Sequence, residues 1–251
     1  MGRYLALIPM ALALAACGGG GGGALSLDPV AGAAQRTSKA GSVQFTFTMA
    51  GGTSSGRYVS ITAQGVTDNA DGSTRMSMAF TEAGKTAHAR AVVLGNDFYM
   101  NAPFLRSKLP SGKTWVKVDL KKLAKEAGGD TSLFDESKQG TPTAPLQALR
   151  KVGKTEKVGP AVVAGVRTTK YHATVDASRI DKKLPDLGVK HVPVDVWIDH
   201  KQMVRKITLK VSAPNPNNSG DFTFVLRGFG PAVTIDAPPS DQTVDIFDLK
   251  G

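Results

Sequence analysis

Cysteine, aromatic residues and clustered histidines are scarce in this 251-residue sequence, and each scarcity narrows the possible functions. The single cysteine has no partner for a disulfide within the chain. The histidines lack the spacing of a metal motif such as H-E-x-x-H, since they stand singly at His88, His172, His191 and His200. Aromatic residues form 6% of the chain and do not alternate with basic residues, as a stacking platform for nucleic acid requires. We therefore predict no metal, no cofactor and no nucleic-acid partner.

Long apolar runs are also missing, apart from one near the N-terminus. Residues 5–16 form an apolar run that follows Arg3 and ends in the small residues Ala15 and Ala16. As a helix this run would extend about 18 Å, which is too short for the roughly 30 Å hydrocarbon core of a membrane. A charged start, an apolar middle and a small-residue end are typical of a secretory signal peptide, which we predict over residues 1–16.

Cys17 directly follows this segment and precedes six consecutive glycines. The sequence Leu14-Ala15-Ala16-Cys17 resembles the lipobox of bacterial lipoproteins, which implies that diacylglycerol is attached to the Cys17 thiol and that cleavage makes Cys17 the first residue. The alternative is an ordinary signal peptide beside an incidental cysteine. Two or three acyl chains anchor a protein stably, whereas one chain binds marginally. Residues 17–27 would then form a flexible tether of roughly 17 Å.

The net charge of +10 gives the sequence an excess of basic residues. Removal of residues 1–16 takes away one charge, that of Arg3, and leaves +9. Because an exported protein does not routinely meet nucleic acid, a surface of anionic lipid is the expected partner of this charge. The densest basic segment, residues 106–125, has seven basic residues and one acidic residue. The alternative is that this segment is a solvated face that keeps the protein soluble.

Beyond residue 40, apolar and polar residues alternate in several segments. In residues 42–49 every second side chain is apolar, which is the period of a strand with one buried face. Six segments share this period, and their apolar members are Val43, Phe45, Phe47 and Met49; Val59, Ile61 and Ala63; Met76, Met78 and Phe80; Val192, Val194, Val196 and Ile198; Ile207, Leu209 and Val211; and Phe222, Phe224 and Leu226. Half-buried strands of this kind are typical of antiparallel sheets.

Helical segments are few. Sequence patterns predict helices over residues 28–40, 120–127 and 145–152. Turn signals such as residues 69–72 separate several of the strands, and no internal repeat indicates a solenoid or propeller. We predict an α+β fold that is mainly antiparallel β, with one large twisted sheet and two or three helices on one face. The length suits a single domain over residues 28–251.

Two segments resemble functional motifs but lack the required context. Residues 52–56 match the G-x-S-x-G string of hydrolases, yet Ser54 lies in a predicted turn between strands rather than in a strand-to-helix elbow. Residues 67–78 begin like a calcium loop, but Met78 stands at the twelfth position, where glutamate is needed. We therefore predict no catalytic residue and no enzymatic activity.

Four methionines fall on or near predicted strands, where β-branched residues are usually favoured. They are Met49, Met76, Met78 and Met100. Methionine fills irregular gaps in hydrophobic cores, and it also lines surfaces that bind varied apolar ligands. The residues alone leave both interpretations open.

Five segments carry a resemblance to a known family. They are "GNDFYMNAP" from Gly95, "GKTWVKVDL" from Gly112, "PLQALRKVGKTEKVGPAVVAGVRTTKYHATVD" from Pro145, "VDVWIDHKQMVRKITL" from Val194 and "FGPAVTIDAPP" from Phe229. In this order they resemble the actinobacterial LppX/LprG lipid-binding lipoproteins, whose fold is similar to that of the carriers LolA and LolB. The resemblance covers most of residues 28–245. The turn "HKQ" after "VDVWID" departs from the family's usual small or acidic residue followed by glycine.

The resemblance implies a curved half-barrel of antiparallel strands around helices, enclosing an apolar cavity for the acyl chains of a lipid or glycolipid. It also implies an envelope lipoprotein, anchored through Cys17 to the outer face of the bacterial plasma membrane, that carries or transfers its ligand. We expect the cavity to be lined by apolar strand residues, some of which pack on the helices instead: Phe45, Phe47, Val59, Ile61, Met76, Met78, Phe80, Val196, Leu209 and Phe224. The alternative is a sensor or accessory lipoprotein that binds a membrane transporter or another envelope protein.

Residues 128–145 form the longest segment after the tether without a clear period, and a loop of this length is usually functional or disordered. Its one apolar pair is Leu133 and Phe134. One interpretation is a lid, in which this pair fills the mouth of the empty cavity and Gly128 and Gly129 act as the hinge. The alternative is a disordered crossover with an incidental apolar pair.

Overall fold

The computed structural model describes residues 28–52, 58–126, 155–179 and 184–249. Several predicted features lie outside these ranges: the signal peptide, Cys17 and the tether, the helix over residues 145–152, and Ser54. The predicted lid residues Leu133 and Phe134 and the hinge residues Gly128 and Gly129 also lie outside them. These features remain predictions.

Helix α1 spans Pro29–Thr37 and confirms the first predicted helix. It begins where the Asp28 carboxylate accepts a hydrogen bond of 2.9 Å from the Val30 amide, and proline at the first position suits a helix start. Its buried side chains, Val30, Ala33, Ala34 and Thr37, recur at helical spacing and form one face.

The sheet contains twelve described strands. They are β1 (Ser42–Gly52), β2 (Tyr58–Asp68), β3 (Thr74–Glu82), β4 (Lys85–Leu94), β5 (Asp97–Asn101), β6 (Trp115–Asp119), β7 (Glu156–Val163), β8 (Val166–Asp176), β9 (His191–Asp199), β10 (Val204–Val211), β11 (Gly220–Gly230) and β12 (Thr243–Asp245). A second helix, α2, spans Leu120–Glu126 and confirms the second predicted helix. Short 3₁₀ helices cover Pro103–Lys108, Ala177–Arg179, Pro216–Asn218, Ser240–Gln242 and Ile246–Leu249.

Two antiparallel meanders make up this sheet, in the order β12-β6-β5-β4-β3-β2-β1-β11-β10-β9-β8-β7. Strands β1 to β6 form one meander, strands β7 to β11 form the other, and they meet where β1 pairs with β11. Strand β12 is the exception, because it adds to β6 in parallel. The sheet is open and curled, so the prediction of a mainly antiparallel α+β fold is confirmed.

Strand β4 shows why simple alternation missed part of the sheet. Its side facing the core carries alanines, Ala87, Ala89 and Ala91, which contrast weakly with the polar side. Strand β7 is interrupted by a register shift between Lys157 and Gly159, which breaks the period of two. Alternation of large apolar residues therefore identifies only the strands that carry large apolar side chains.

The main hydrophobic core lies between α1 and the β9–β10 part of the sheet, because α1 contacts these two strands. The Thr37 hydroxyl accepts a hydrogen bond of 2.9 Å from the Val204 amide and donates one of 2.8 Å to the Ala33 carbonyl. The Asn69 side-chain amide donates hydrogen bonds to the carbonyls of Thr37, at the end of α1, and Ala40, just beyond it. Carbonyls at the end of a helix have no partner within the helix, and Asn69 supplies one. These bonds fix α1 against one face of the sheet.

Residues 231–242, which we call the strap, connect β11 to β12 across the other face of the sheet. The Val233 amide donates a 2.9 Å hydrogen bond to the Asp68 carboxylate. Ile235 is buried against Val92 and Tyr99 in a second, smaller hydrophobic cluster. The strap thus carries the chain from the centre of the sheet to its edge at β6.

Candidate functional site

All ten residues predicted to line a cavity point to the same face of the sheet, which we call the apolar face. Directly opposite residues in a ladder share a face. Phe47 pairs with Phe224 on β11 and with Ala63 on β2, and Ala63 pairs in turn with Met78. The remaining members follow the same registers through β1–β3 and β9–β11.

Burial divides these ten residues into two groups. Phe45 and Val196 are 2% and 0% exposed and belong to the core beneath α1. The other eight are half-buried: Phe47, Val59, Ile61, Met76, Met78, Phe80, Leu209 and Phe224. The described residues therefore leave a continuous apolar surface partly exposed beside the packed core.

Strand β3 forms a ridge on this surface between two strips of small residues. Its apolar side chains are Met76, Met78 and Phe80. Their partners on β2 and β4 are mostly small: Gly65 and Ala63 on one side, and Ala91, Ala89 and Ala87 on the other. Any side chain at Gly65 would collide with the Arg75 carbonyl oxygen and Met76 Cβ. Ala63, Ala89 and Ala91 are at most 6% exposed, so the accessible part of this surface is formed by the β3 side chains themselves.

Aromatic rings mark the middle of the apolar face. The rings of Phe47 and Phe224 lie 4.6 Å apart between centroids and are tilted by 34°. Phe222, which the cavity prediction omitted, pairs with Met49 and Leu209 and extends this aromatic surface. Its place in the alternating segment of β11 was the signal that could have included it.

The four strand methionines all lie on the apolar face. Met100 pairs with Ala91, and Met49 pairs with Ile61, so both share the face of Met76 and Met78. All four are half-buried. Their flexible thioethers therefore form surface that is available to adapt to a partner.

Charged groups lie at the rim of the apolar face and on the opposite, polar face. Glu82 and Lys85 pair at the β3–β4 hairpin tip, one step beyond Phe80. On the polar face, the Asp195 carboxylate accepts from Lys170 and His172, each at 2.8 Å. Burial raises the pKa of Asp195, but these two partners outweigh it and hold the pKa below its usual range.

The described histidines do not form a metal site. His172 pairs with Asp195, whereas His88, His191 and His200 are exposed. Within the described ranges, no group of three or more histidine, aspartate or glutamate side chains could hold a metal ion. No helix in the same ranges has the length and apolarity to cross a membrane.

The basic segment over residues 106–125 is partly engaged in the fold. Lys117 forms an ion pair of 3.0 Å with Asp97. The hydrogen bond to Asp97 is the main reason that the pKa of Lys117 is raised. Lys113 donates to backbone carbonyls of the strap, at 2.9 Å and 3.4 Å. Lys122 lies 3.9 Å from the ring centroid of Phe247. The contacts of Lys113 and Lys122 attach the C-terminal segment to the chain just before β6 and to α2.

Comparison with known proteins agrees with this architecture. The sequence matches the model of the family described as LppX_LprAFG lipoprotein over residues 25–235, which confirms the resemblance found in the sequence. Comparison with curated proteins gives no match.

Two solved structures share the fold. The lipoprotein LppX from Mycobacterium tuberculosis is 18% identical with a TM-score of 0.52, and the comparison covers 83% of this chain and 100% of that chain. LprF from Mycobacterium bovis is 18% identical with a TM-score of 0.51, covering 84% of this chain and 95% of that chain. Likeness at this level of identity establishes the fold.

Proposed function

The chain belongs to the LppX_LprAFG lipoprotein family, and from this premise we propose that its apolar face binds the acyl chains of a lipid or glycolipid. The observation that carries the proposal is the half-buried surface of methionine and phenylalanine beside a completely packed core. An ordinary core would bury these residues fully.

The energy of such binding is sufficient to remove a lipid from water. Burying an acyl chain of about fourteen methylenes contributes roughly 11 kcal/mol before the costs of binding, at about 0.8 kcal/mol per methylene. The half-buried side chains of Met76, Met78 and Phe80 on β3 offer the apolar surface for this contact. The thioether can change rotamer to follow chains of different shape. Carriage of the lipid within the envelope is the function that we infer.

The proposed location follows from the N-terminal segment. We infer that residues 1–16 are removed, that Cys17 carries diacylglycerol, and that residues 17–27 tether a single domain over 28–251 to the outer face of the plasma membrane. Replacing Cys17 with Ala is expected to release the protein into the soluble fraction. Retention of the Cys17→Ala protein on membranes after a high-salt wash would place the anchor elsewhere.

Lipid binding is tested with one charged substitution on each face. Met78→Glu places a carboxylate in the centre of the apolar face, where an acyl chain would desolvate it. We expect at least a tenfold loss of affinity for a fluorescent fatty acid such as cis-parinaric acid, which corresponds to about 1.4 kcal/mol. The matched control is Thr62→Glu, because Thr62 is exposed and pairs with Thr48 on the polar face.

Circular dichroism of both variants establishes that they are folded. If the folded Met78→Glu and Thr62→Glu proteins bind the fatty acid equally well, the lipid does not bind at the apolar face. Native mass spectrometry of the protein purified from its own envelope then identifies the bound lipid.

A further inference from the structure

A cavity that is open to solvent lies on the polar face, behind the sheet from the proposed lipid site. It has a volume of about 640 Å³ and is lined by β1–β4, β6, β11 and the strap. This volume is within the range of about 300–1,000 Å³ typical of small-molecule sites. Because the sheet separates it from the apolar face, its ligand is independent of the acyl-chain proposal.

Three arginines from three different strands line this cavity: Arg75 on β3, Arg90 on β4 and Arg227 on β11. Arg75 pairs with Val92 and Arg90 pairs with Ser77, so the two arginines are diagonal neighbours on one face. Diagonal neighbours in an antiparallel pair are about 7–8 Å apart, within reach of long side chains. Like charges this close repel each other, and a bound anion relieves the repulsion.

Neutralising groups are few around these arginines. None of the three forms an ion pair with a carboxylate within the described ranges. Asp236 of the strap is the one acidic residue among those that line the cavity, and it is exposed. The lining therefore carries two more positive than negative charges.

Two of the arginines are held in place by neighbouring side chains. Arg227 Nε donates a 2.9 Å hydrogen bond to the Thr46 hydroxyl. The Arg227 carbonyl accepts a 3.1 Å bond from Arg205, which is itself fixed by the buried Asp199 carboxylate at 2.7 Å. The Arg90 guanidinium lies 5.7 Å from the ring centroid of Trp115. Guanidinium groups held before binding lose less entropy when they pair with an anion.

The remaining lining suits a ligand that carries hydroxyl groups. Gln44 and Gln64 present amides, which can both donate and accept hydrogen bonds. The Asp236 carboxylate accepts hydrogen bonds only, so it favours hydroxyl donors. Trp115 supplies an apolar surface beside these polar groups.

We propose that this cavity binds a phosphorylated polyol. Its phosphate would pair with Arg75, Arg90 and Arg227, and its hydroxyls would contact the glutamines and Asp236. Planar guanidinium groups match the oxygens of phosphate in a two-bond arrangement. The phosphate can belong to a free sugar phosphate or to the headgroup of a phospholipid, since both present the same chemistry.

Isothermal titration calorimetry of the full chain in detergent separates these two sources. Glucose 6-phosphate represents the free phosphomonoester, and glycerophosphoglycerol represents a phospholipid headgroup without acyl chains. Tighter binding of the first assigns the site to a free metabolite, and tighter binding of the second assigns it to a headgroup. Glucose itself is expected to bind at least tenfold more weakly than glucose 6-phosphate.

The double substitution Arg75→Gln with Arg90→Gln is expected to weaken binding of the preferred probe at least tenfold. The control is Arg167→Gln, because Arg167 is exposed like the three cavity arginines but lies on β8 outside the cavity, and it is expected to change affinity less than twofold. Met78→Glu is also expected to leave this affinity unchanged. The proposal is overturned if neither phosphorylated probe binds, or if the double variant and Arg167→Gln lose affinity equally.

Discussion

The two halves of the apolar face are built from different side chains. Beneath α1, on β9 and the first part of β10, six side chains of this face are β-branched and at most 4% exposed: Val192, Val194, Val196, Ile198, Val204 and Ile207. In the β1–β4 half, methionine and phenylalanine predominate, and most of them are half-buried. One continuous sheet thus contains a packed region and an adaptable region.

The physical properties of the side chains explain this division. Valine and isoleucine have few rotamers, so they pack closely and lose little entropy when a helix covers them. Methionine has three flexible bonds and can follow a partner of variable shape. The comparison indicates that the side chains packed beneath α1 stabilise the fold, whereas the half-buried side chains, most of them on β1–β4, form the proposed ligand surface. The following substitutions test this division, from the largest expected effect to the smallest.

A charge in the packed half is expected to unfold the protein. Val196→Asp would bury an unpaired carboxylate among side chains that exclude water, at a cost of at least about 4 kcal/mol. Urea denaturation followed by circular dichroism measures the loss. Because Met78→Glu places a similar charge in the half-buried region, it is expected to leave a folded protein. Similar stability of the two variants would contradict the division.

Two side chains on β10, Ile207 and Leu209, allow the packed region and the half-buried region to be compared within one strand. Ile207 is 1% exposed, whereas Leu209, two residues further on the same face, is half-buried. Ile207→Ala is expected to lower the free energy of unfolding by about 2–4 kcal/mol, and Leu209→Ala by less than half as much. Urea midpoints measure both values. Fatty-acid affinity is expected to fall more in Leu209→Ala, and the reverse order would contradict the assignment of Leu209 to the ligand surface.

The turn between β9 and β10 gives the packed half an acid-sensitive bond network. Asp199 is buried, and burial raises its pKa, but the amides of Met203 and Lys201 and the guanidinium of Arg205 outweigh this and lower the pKa. A lowered pKa means that the carboxylate stabilises the fold above its unfolded pKa of about 3.9, and that this contribution is lost as pH falls through the folded value.

Asp199→Asn is therefore expected to reduce stability at neutral pH by about 2 kcal/mol and to flatten the decline of stability below about pH 4. Thermal unfolding at several pH values measures the slope. The control is Asp221→Asn, since Asp221 is exposed on β11. An unchanged slope in the Asp199→Asn protein would show that another group controls acid unfolding.

The smallest expected effect concerns the attachment of α1. Thr37→Val keeps the volume of the side chain but removes the acceptor for the buried Val204 amide, at a cost of about 1–2 kcal/mol. Ser38→Ala is the matched control, because the Ser38 hydroxyl bonds an exposed carbonyl of the same helix. Equal stability of the two variants, measured by urea denaturation, would indicate that packing alone holds α1 on the sheet.

Local sequence patterns predicted much of the fold correctly. The period of two in residues 42–49 identified both the strand and its apolar face, because side chains on a strand alternate strictly. The helix predicted over residues 28–40 begins at Asp28, the residue that caps α1, since capping is a local interaction. Strand β4 escaped this approach because alanine differs too little from the polar residues beside it.

Only the tertiary structure decided which predicted cavity residues are packed. Phe45 and Phe47 alternate identically in the sequence, yet Phe45 is 2% exposed and Phe47 is half-buried. The difference depends on where the core beneath α1 ends, and that position is set by contacts between distant segments such as Thr37 and Val204. No local pattern contains this information.

The sequence by itself determined the strand period, the helix start and the family resemblance, because each depends on neighbouring residues or on the order of segments. It did not determine the polar cavity, whose arginines are separated by up to 152 residues, from Arg75 to Arg227. These side chains meet because β1 pairs with both β2 and β11, and because the strap crosses the same face. Pairing between distant strands is a property of the folded chain, since it requires the whole sheet to form.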